Sequence, residues 1–195
     1  MQTCTIACIG CGNMGGAMLG GWLSVAAERG YALTGMTRTP ARAAALVERG
    51  LTLCETAAEA AQKADMIVLS VKPYQAEEVL AGMAPALGPE KLLISVAAGV
   101  SVERLRAASG GRCPVVRCMP NTPALVGKGV FALCFDDPAL KPADKERVLR
   151  LFADLGVCVE LPEARMTAFS ALVGAGPAYV FQMMQGLVQA GVTQG

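Results

Sequence analysis

A short apolar segment near the start of the chain leads directly into a glycine motif and then into a helix-like sequence. Residues 6–9 are apolar, and Gly10, Gly12 and Gly15 follow in the spacing G-x-G-x-x-G. In a strand–turn–helix unit, the first glycine permits a sharp turn, the second admits a pyrophosphate to the backbone, and the third lets the helix pack against the sheet. The helix N-terminus then faces the phosphates. This order favours a dinucleotide-binding loop, with Asn13 and Met14 included, over a tight turn that has no ligand.

The composition excludes several classes of protein. Of the 195 residues, 53% are hydrophobic and 17% are charged, which is sufficient for a large core and untypical of a disordered chain. The net charge of +1 predicts neither a nucleic-acid partner nor binding to an anionic membrane surface. The first residues lack the basic segment of a secretory signal, so none is expected.

Eight cysteines and no histidine also constrain the chemistry. Cys8 and Cys11 form a C-x-x-C, but no second pair has matching spacing, so a zinc site would lack ligands and we predict no metal. The remaining cysteines mostly fall in apolar, strand-like runs, where a reduced thiol acts as a small hydrophobic group. The cysteine pattern therefore predicts a protein of the reducing cytoplasm.

Strand-like and helix-like segments alternate along most of the chain. Such alternation predicts an α/β fold of the Rossmann type, a doubly wound and mostly parallel sheet, over residues 1–161. We predict strands near residues 6–9, 31–37, 51–53, 66–71, 92–96, 115–119, 129–135 and 158–161. We predict helices from the glycine loop to about Arg29, over 41–50, 57–63, 75–86, after Ser101, and over 141–155. Thr56 and Glu59 form the pattern of a capping box.

The end of the second predicted strand bears on the choice of cofactor. An NAD-binding domain places an acidic residue there for the ribose hydroxyls, whereas this chain has Thr37, Arg38 and Thr39. A cation and two hydroxyls favour the 2′-phosphate of NADP(H) over NAD(H), and a solvated arginine in a turn is the alternative. Lys72 ends another strand, where a phosphate or ribose contact and an ordinary loop lysine are equally compatible with its position.

Composition changes near Pro162, and no residue after Arg165 is charged. Pro177 suits the first position of a helix. Glutamines at 182, 185 and 189 form one thin polar stripe on this otherwise apolar helix. Because glycines, a proline and glutamines interrupt the apolar run, we predict a helix that other protein buries rather than a membrane span.

Five separate stretches together resemble the pyrroline-5-carboxylate reductase family. Two of them, Met-Pro-Asn-Thr-Pro and Gly-x-Gly-Pro-Ala-Tyr, are far more specific than the glycine loop. The stretches are residues 9–15, 71–73, 95–99, 119–127 and 174–179.

The resemblance implies reduction of Δ1-pyrroline-5-carboxylate to L-proline with NAD(P)H, in a homodimer or higher oligomer. It implies that residues 162–195 begin an all-α substrate and dimerisation domain, with Gly176, Pro177 and Ala178 shaping the substrate pocket. The positions implied to line the cofactor are Gly12, Asn13, Met14, Thr37, Arg38, Val71, Lys72, Pro73, Ala97, Ala98 and, near the nicotinamide ribose, Asn121.

The family pattern continues past the position of Gly195. Further helices follow there in the family, together with a Thr/Ser-Pro-Gly-Gly-Thr segment that grips the substrate. Because the resemblance places the substrate-binding Thr/Ser beyond Gly195, we assign no catalytic residue within residues 1–195.

Two departures from the family pattern affect polar contacts. Ala175 stands where relatives often carry Ser or Cys, and Ala57 stands where many carry an Asn near the adenosine phosphate. The second departure weakens the NADP prediction without reversing it.

The lack of histidine is compatible with imine reduction. A ketone reductase usually positions an acid for the developing alkoxide, whereas a protonated imine becomes a neutral amine on accepting hydride. Two alternatives remain: an NADP-dependent dehydrogenase of the hydroxyacid or F420-type group, for which Lys72 or Tyr179 could supply a proton, and a non-catalytic NADPH-binding module.

Overall fold

The computed structural model describes residues 3–195 and contains one eight-stranded sheet. The strands are β1 Cys4–Ile9, β2 Tyr31–Met36, β3 Thr52–Leu53, β4 Met66–Leu69, β5 Leu92–Ser95, β6 Val115–Met119, β7 Gly129–Cys134 and β8 Gly156–Glu160. The helices are α1 Asn13–Arg29, α2 Ala44–Glu48, α3 Ala57–Lys63, α4 Ala76–Met83, α5 Val102–Ala108, α6 Pro142–Ala153, α7 Glu163–Phe169 and α8 Gly176–Gln194.

The strands lie in the order β3-β2-β1-β4-β5-β6-β7-β8. All neighbours are parallel except β6 and β7, which pair antiparallel with Cys118 opposite Leu133. The chain builds β1, β2 and β3 outward in one direction and then returns to place β4 on the other side of β1. The predicted doubly wound, mostly parallel sheet is therefore confirmed, and its switch point lies between β1 and β4.

Alternate residues of the central strands supply two separate cores. In β1, Ile6 and Cys8 face one layer while Ala7 and Ile9 face the other. The first layer is covered by α1 and α6, where the Trp22 indole nitrogen donates a hydrogen bond to the Leu151 carbonyl at 2.8 Å. The second layer is covered by α3, α4 and α5. Burial on both faces explains why these strands are almost entirely apolar.

The helix ends follow local sequence, with several differences from prediction. Thr56 caps α3 by accepting from Glu59 N at 3.1 Å, but the Glu59 carboxylate accepts from Glu55 N, one residue before the predicted position. The predicted helix over 41–50 is a 3₁₀ turn, Pro40–Ala43, followed by the five-residue α2. Helix α8 begins at Gly176, which makes Pro177 its second residue.

The last two helices differ in their packing. Met166 and Phe169 of α7 pack against Ala132 and Cys134 of β7, and an ion pair joins Arg117 of β6 to Glu163. By contrast, no residue of α8 is buried within the described residues. Its large apolar side chains are all more than half exposed, and they are Tyr179, Val180, Phe181, Met183, Met184, Leu187, Val188 and Val192. The division at residue 162 stays a prediction.

Candidate cofactor site

A cavity of about 970 Å³ opens at the carboxyl edge of the sheet, at the switch point between β1 and β4. Three strand-end loops supply most of its wall, as expected for a ligand site in a doubly wound sheet. The predicted residues that line it are Gly10, Gly12, Asn13, Met14, Thr37, Arg38, Thr39, Val71 and Lys72.

Each of the three loop positions requires glycine for a different structural reason. Gly10 has a φ of +101°, and a Cβ there would lie 2.3 Å from the Ser70 carbonyl oxygen. A Cβ on Gly15 would lie 2.0 Å from the Gly10 carbonyl oxygen, so this residue permits the close packing of α1 on the loop. A Cβ on Gly12 would meet nothing within 4 Å, which leaves space for a ligand beside the backbone.

The N-terminus of α1 opens into the same cavity. Gly12 is its N-cap and supplies no side-chain hydrogen bond, and the first turn contains no acidic residue. The first N–H groups of a helix have no partner within the helix, and they carry its positive dipole end. This arrangement favours an anion.

The charged side chains around the cavity are predominantly cationic. Arg38, Arg42 and Lys72 line it together with one carboxylate, Glu78. Within residues 3–195, none of the three cations lies within 4.0 Å of a carboxylate. Their charges are therefore available to a phosphate.

Cys11 also lines the cavity but adds no charge. Its thiol lies 3.6 Å from the Met36 carbonyl oxygen, and burial raises its pKa to about 11. Burial also raises the pKa of Cys8 well above its usual value. Both thiols are protonated at neutral pH, so neither repels a pyrophosphate, and neither has the thiolate character of a reactive cysteine.

Several predicted positions do not line this cavity. Gly15 packs beneath the loop, and Pro73, Ala97, Ala98 and residues 176–178 lie elsewhere. Asn121 is buried, and its side-chain oxygen accepts a hydrogen bond from Val130 N at 2.9 Å, which ties the turn after β6 to β7. The cofactor and substrate roles of these residues stay predictions.

Sequence reasoning missed five polar lining residues, namely Arg42, Thr56, Ser70, Gln75 and Glu78. Arg42 lies one helical turn beyond Thr39 on the Pro40–Ala43 turn, and this spacing could have indicated it. Gln75 and Glu78 reach the wall from the start of α4. Ala57, noted above as a departure from the family pattern, also lines the cavity.

A second cavity, of about 750 Å³, also borders the glycine loop. It shares four residues with the first cavity and adds Leu125, whose side chain is largely exposed. The shared residues are Cys11, Gly12, Asn13 and Arg42.

Residues 3–195 contain no metal cluster of the kind that the cysteine pattern could have suggested. In that range, no three His, Cys, Asp or Glu side chains converge as a metal site requires. None of its helices is both long and apolar enough to cross a bilayer. All eight cysteines are free thiols.

The start of α8 has an unusual backbone. Residues Ser170–Gly174 form a π-helical turn, a feature frequent at functional sites. The Tyr179 hydroxyl donates to the Ala171 carbonyl at 2.8 Å and so ties α8 to this turn.

The other end of α8 lies outside both cavities. Gly195 is the C-cap of the helix, where its N–H donates to the Val192 carbonyl at 3.3 Å, and it is exposed. It lines neither the cofactor cavity nor the second cavity, so the structure gives Gly195 itself no part in the site. The placement of the substrate-binding Thr/Ser segment after this residue stays a prediction, and no catalytic residue is assigned.

Comparison with known proteins gives consistent matches over almost the entire chain. Residues 5–99 match the family profile described as "NADP oxidoreductase coenzyme F420-dependent", and residues 163–195 match "Pyrroline-5-carboxylate reductase dimerisation". A pyrroline-5-carboxylate reductase of Pseudomonas aeruginosa is 38% identical over 98% of this chain and 70% of that protein. An Escherichia coli pyrroline-5-carboxylate reductase is 36% identical over 96% of this chain and 70% of that protein.

A solved structure agrees with these sequence relatives. The crystal structure of Plasmodium falciparum pyrroline carboxylate reductase with NADP bound superposes with a TM-score of 0.83 at 31% identity. The match covers 100% of this chain and 71% of that one.

Proposed function

The chain belongs to the pyrroline-5-carboxylate reductase family, and we propose that its activity, the reduction of Δ1-pyrroline-5-carboxylate to L-proline, uses NADPH held beside the glycine loop. The observation that carries this proposal is the cationic cavity at the sheet switch point, where Gly12 leaves the backbone open at the N-terminus of α1. The relative from Plasmodium falciparum, whose solved structure has NADP bound, supports the choice of cofactor class.

The residues present fit a phosphorylated dinucleotide at both of its phosphate positions. The N-terminus of α1 suits the pyrophosphate, which would approach the backbone at Gly12. At the end of β2, Arg38 and Arg42 provide two cations, and Thr37 and Thr39 provide hydroxyls, for the 2′-phosphate. No acidic residue follows β2 to bind a free ribose 2′-hydroxyl. We therefore assign NADPH as the preferred cofactor over NADH.

The remaining loops would hold the rest of the cofactor and the substrate. Val71 and Lys72 line the cavity after β4, where Lys72 could neutralise a phosphate or bind a ribose. On the basis of the family pattern, we assign Pro73, Ala97 and Ala98 to the lining of the cofactor and Asn121 to the vicinity of the nicotinamide ribose. On the same basis we assign residues 176–178, at the start of α8, to the substrate pocket.

The chemistry requires orientation more than proton transfer from the protein. When bound, NADPH would supply a hydride to the imine carbon of the pyrroline ring, the carbon that becomes C5 of proline. A protonated imine already carries the positive charge that this addition neutralises, so no side chain needs to supply a proton during the step. The protein contributes a fixed distance and angle between donor and acceptor. The absence of histidine from the sequence is compatible with a step in which the protein orients the reactants and donates no proton.

We further propose that the protein is a homo-oligomer assembled through α8. Eight large apolar side chains of this helix are more than half exposed, and residues 163–195 match a dimerisation profile. At roughly 25 cal/mol per Å² of apolar surface, leaving such a face in water forgoes several kcal/mol. The cytoplasm, inferred from the cysteine pattern, is the location we propose.

The test is to titrate the protein with NADPH and NADH and to assay turnover with Δ1-pyrroline-5-carboxylate. Tighter binding of NADPH, lost in Arg38→Ala, and formation of proline are the expected results. Arg112→Ala is the matched control, because it removes an exposed cation that does not line the cavity. An unchanged NADPH/NADH ratio in Arg38→Ala would contradict the cofactor assignment. NADPH binding without turnover would favour a non-catalytic module, and turnover of a hydroxyacid alone would favour the dehydrogenase alternative.

A further inference from the structure

Gln75 connects two of the loops that form the proposed cofactor cavity. With its amide group oriented so that the oxygen faces Arg38, that oxygen lies 3.2 Å from both Nη1 and Nη2 of the guanidinium. Arg38 follows β2, whereas Gln75 directly precedes α4, and both side chains line the same cavity. The contact therefore holds the arginine from the opposite side of the site.

Gln75 itself is fixed by the local backbone. It is the last residue of the Pro73–Gln75 turn, where its N–H donates to the Lys72 carbonyl at 2.9 Å, and it is half-buried. Arg38 is exposed and has no carboxylate partner in the described chain. A long exposed side chain without such a contact would sample many rotamers, so the glutamine is the group that orders it.

The neutrality of the amide is as important as its position. A carboxylate in the same place would form a bidentate ion pair with the guanidinium and compete with any phosphate for it. An amide oxygen accepts hydrogen bonds but leaves the positive charge uncompensated. It can orient Arg38 without neutralising it.

We propose that Gln75 is a positioning residue that sets the NADPH specificity of the site by holding Arg38 ready for the 2′-phosphate. This inference rests on the proposed function, and in particular on Arg38 as the 2′-phosphate ligand. Gln75 acts only through Arg38. Its removal weakens NADPH binding and leaves NADH binding unchanged.

Dissociation constants for both cofactors are measured with Gln75→Met and Gln75→Glu. Methionine keeps the length of the side chain but removes the acceptor, and it lowers NADPH affinity about three- to tenfold with NADH unchanged. Glutamate places a negative carboxylate beside the Arg38 guanidinium. This change lowers NADPH affinity by more than about tenfold, again with NADH affinity retained. Gln62→Glu is the control, since it adds the same charge on the exposed surface of α3, away from the cavity.

A double-mutant cycle separates positioning from direct contact. In the Arg38→Ala background, Gln75→Met should no longer change the NADPH/NADH ratio, because there is no guanidinium left to orient. If Gln75→Met lowers NADPH affinity equally with and without Arg38, the glutamine acts on the cofactor directly and the positioning role is wrong. Unchanged melting temperatures show that the variants are folded.

The outcomes distinguish this inference from the proposed function. If the wild-type protein prefers NADPH through Arg38 but neither Gln75 variant changes the NADPH/NADH affinity ratio, only this inference is wrong. Wild-type protein without an Arg38-dependent preference overturns the cofactor assignment and the inference together.

Discussion

Two glycines of the same loop should respond to substitution in opposite ways. Gly12→Val places a side chain in space where a Cβ meets nothing within 4 Å, so the protein should fold. Gly15→Ala places a Cβ 2.0 Å from the Gly10 carbonyl oxygen and 3.1 Å from the Cys8 sulfur. The first variant should lose the ligand, and the second should lose stability.

The expected magnitudes follow from these distances. To relieve the Gly15→Ala contact, α1 must move by more than 1 Å. The free-energy cost of this movement should lie at the upper end of the range for overpacked cores, about 3 kcal/mol. Alanine regains about 1 kcal/mol of helix propensity. The net loss of about 2 kcal/mol should lower the melting temperature by about 4–8 °C. In Gly12→Val, the cap change costs below about 1 kcal/mol.

Cofactor binding should respond the other way, with a larger loss of affinity in Gly12→Val than in Gly15→Ala. A valine side chain at Gly12 would keep the pyrophosphate from the N-terminus of α1, and two lost charge-assisted hydrogen bonds cost about 3 kcal/mol or more, roughly 100-fold in Kd. Thermal melting followed by circular dichroism and NADPH titration measure the two quantities. Wild-type NADPH affinity in folded Gly12→Val would refute the placement of the pyrophosphate. A wild-type melting temperature for Gly15→Ala would refute the close packing.

Three further predictions concern pH, the thiol and the exposed helix. The NADPH/NADH affinity ratio should fall as pH falls through about 6, because the 2′-phosphate loses its second charge there, and a flat ratio would contradict a phosphate-specific site. Alkylation of Cys11 should be slow near neutral pH and should accelerate as the pH approaches the thiol pKa of about 11. NADPH should suppress it. Peptide mapping measures the modification, and fast modification near neutral pH would refute the buried, protonated thiol. Leu187→Lys on the apolar surface of α8 should reduce the oligomer size in light scattering, whereas Gln189→Lys in the polar stripe should not, and equal effects would argue against assembly through that apolar face.

The parts of the site that depend on local sequence could be predicted before the structure. The glycine loop is an example, because its spacing alone predicts three local roles. Gly10 permits the turn, Gly12 the approach of a ligand, and Gly15 the contact with the helix. The absence of an acid after β2 is similarly local. Since parallel strands bring their carboxyl ends to one edge, the predicted parallel sheet already places Arg38 and Lys72 at the same edge.

Contacts between loops could not be predicted in the same way. The approach of Gln75 to Arg38 depends on where α4 begins relative to β2, which no single stretch of sequence specifies. Likewise, the antiparallel β7 depends on how the turn after β6 folds back, and Asn121 proves to hold that turn by binding Val130 N. The predicted helix over 41–50 was wrong in its first residues, because Pro40 starts a tighter 3₁₀ turn there.

The most direct test of the central claim is to follow the hydride itself. NADPH labelled with deuterium at the transferred position of C4 is incubated with the protein and Δ1-pyrroline-5-carboxylate, and the product is analysed by mass spectrometry. Direct transfer between the oriented cofactor and the imine predicts proline that carries one deuterium at C5. Absence of proline, or proline without the label, would contradict the assignment of this cavity to an NADPH-dependent imine reduction.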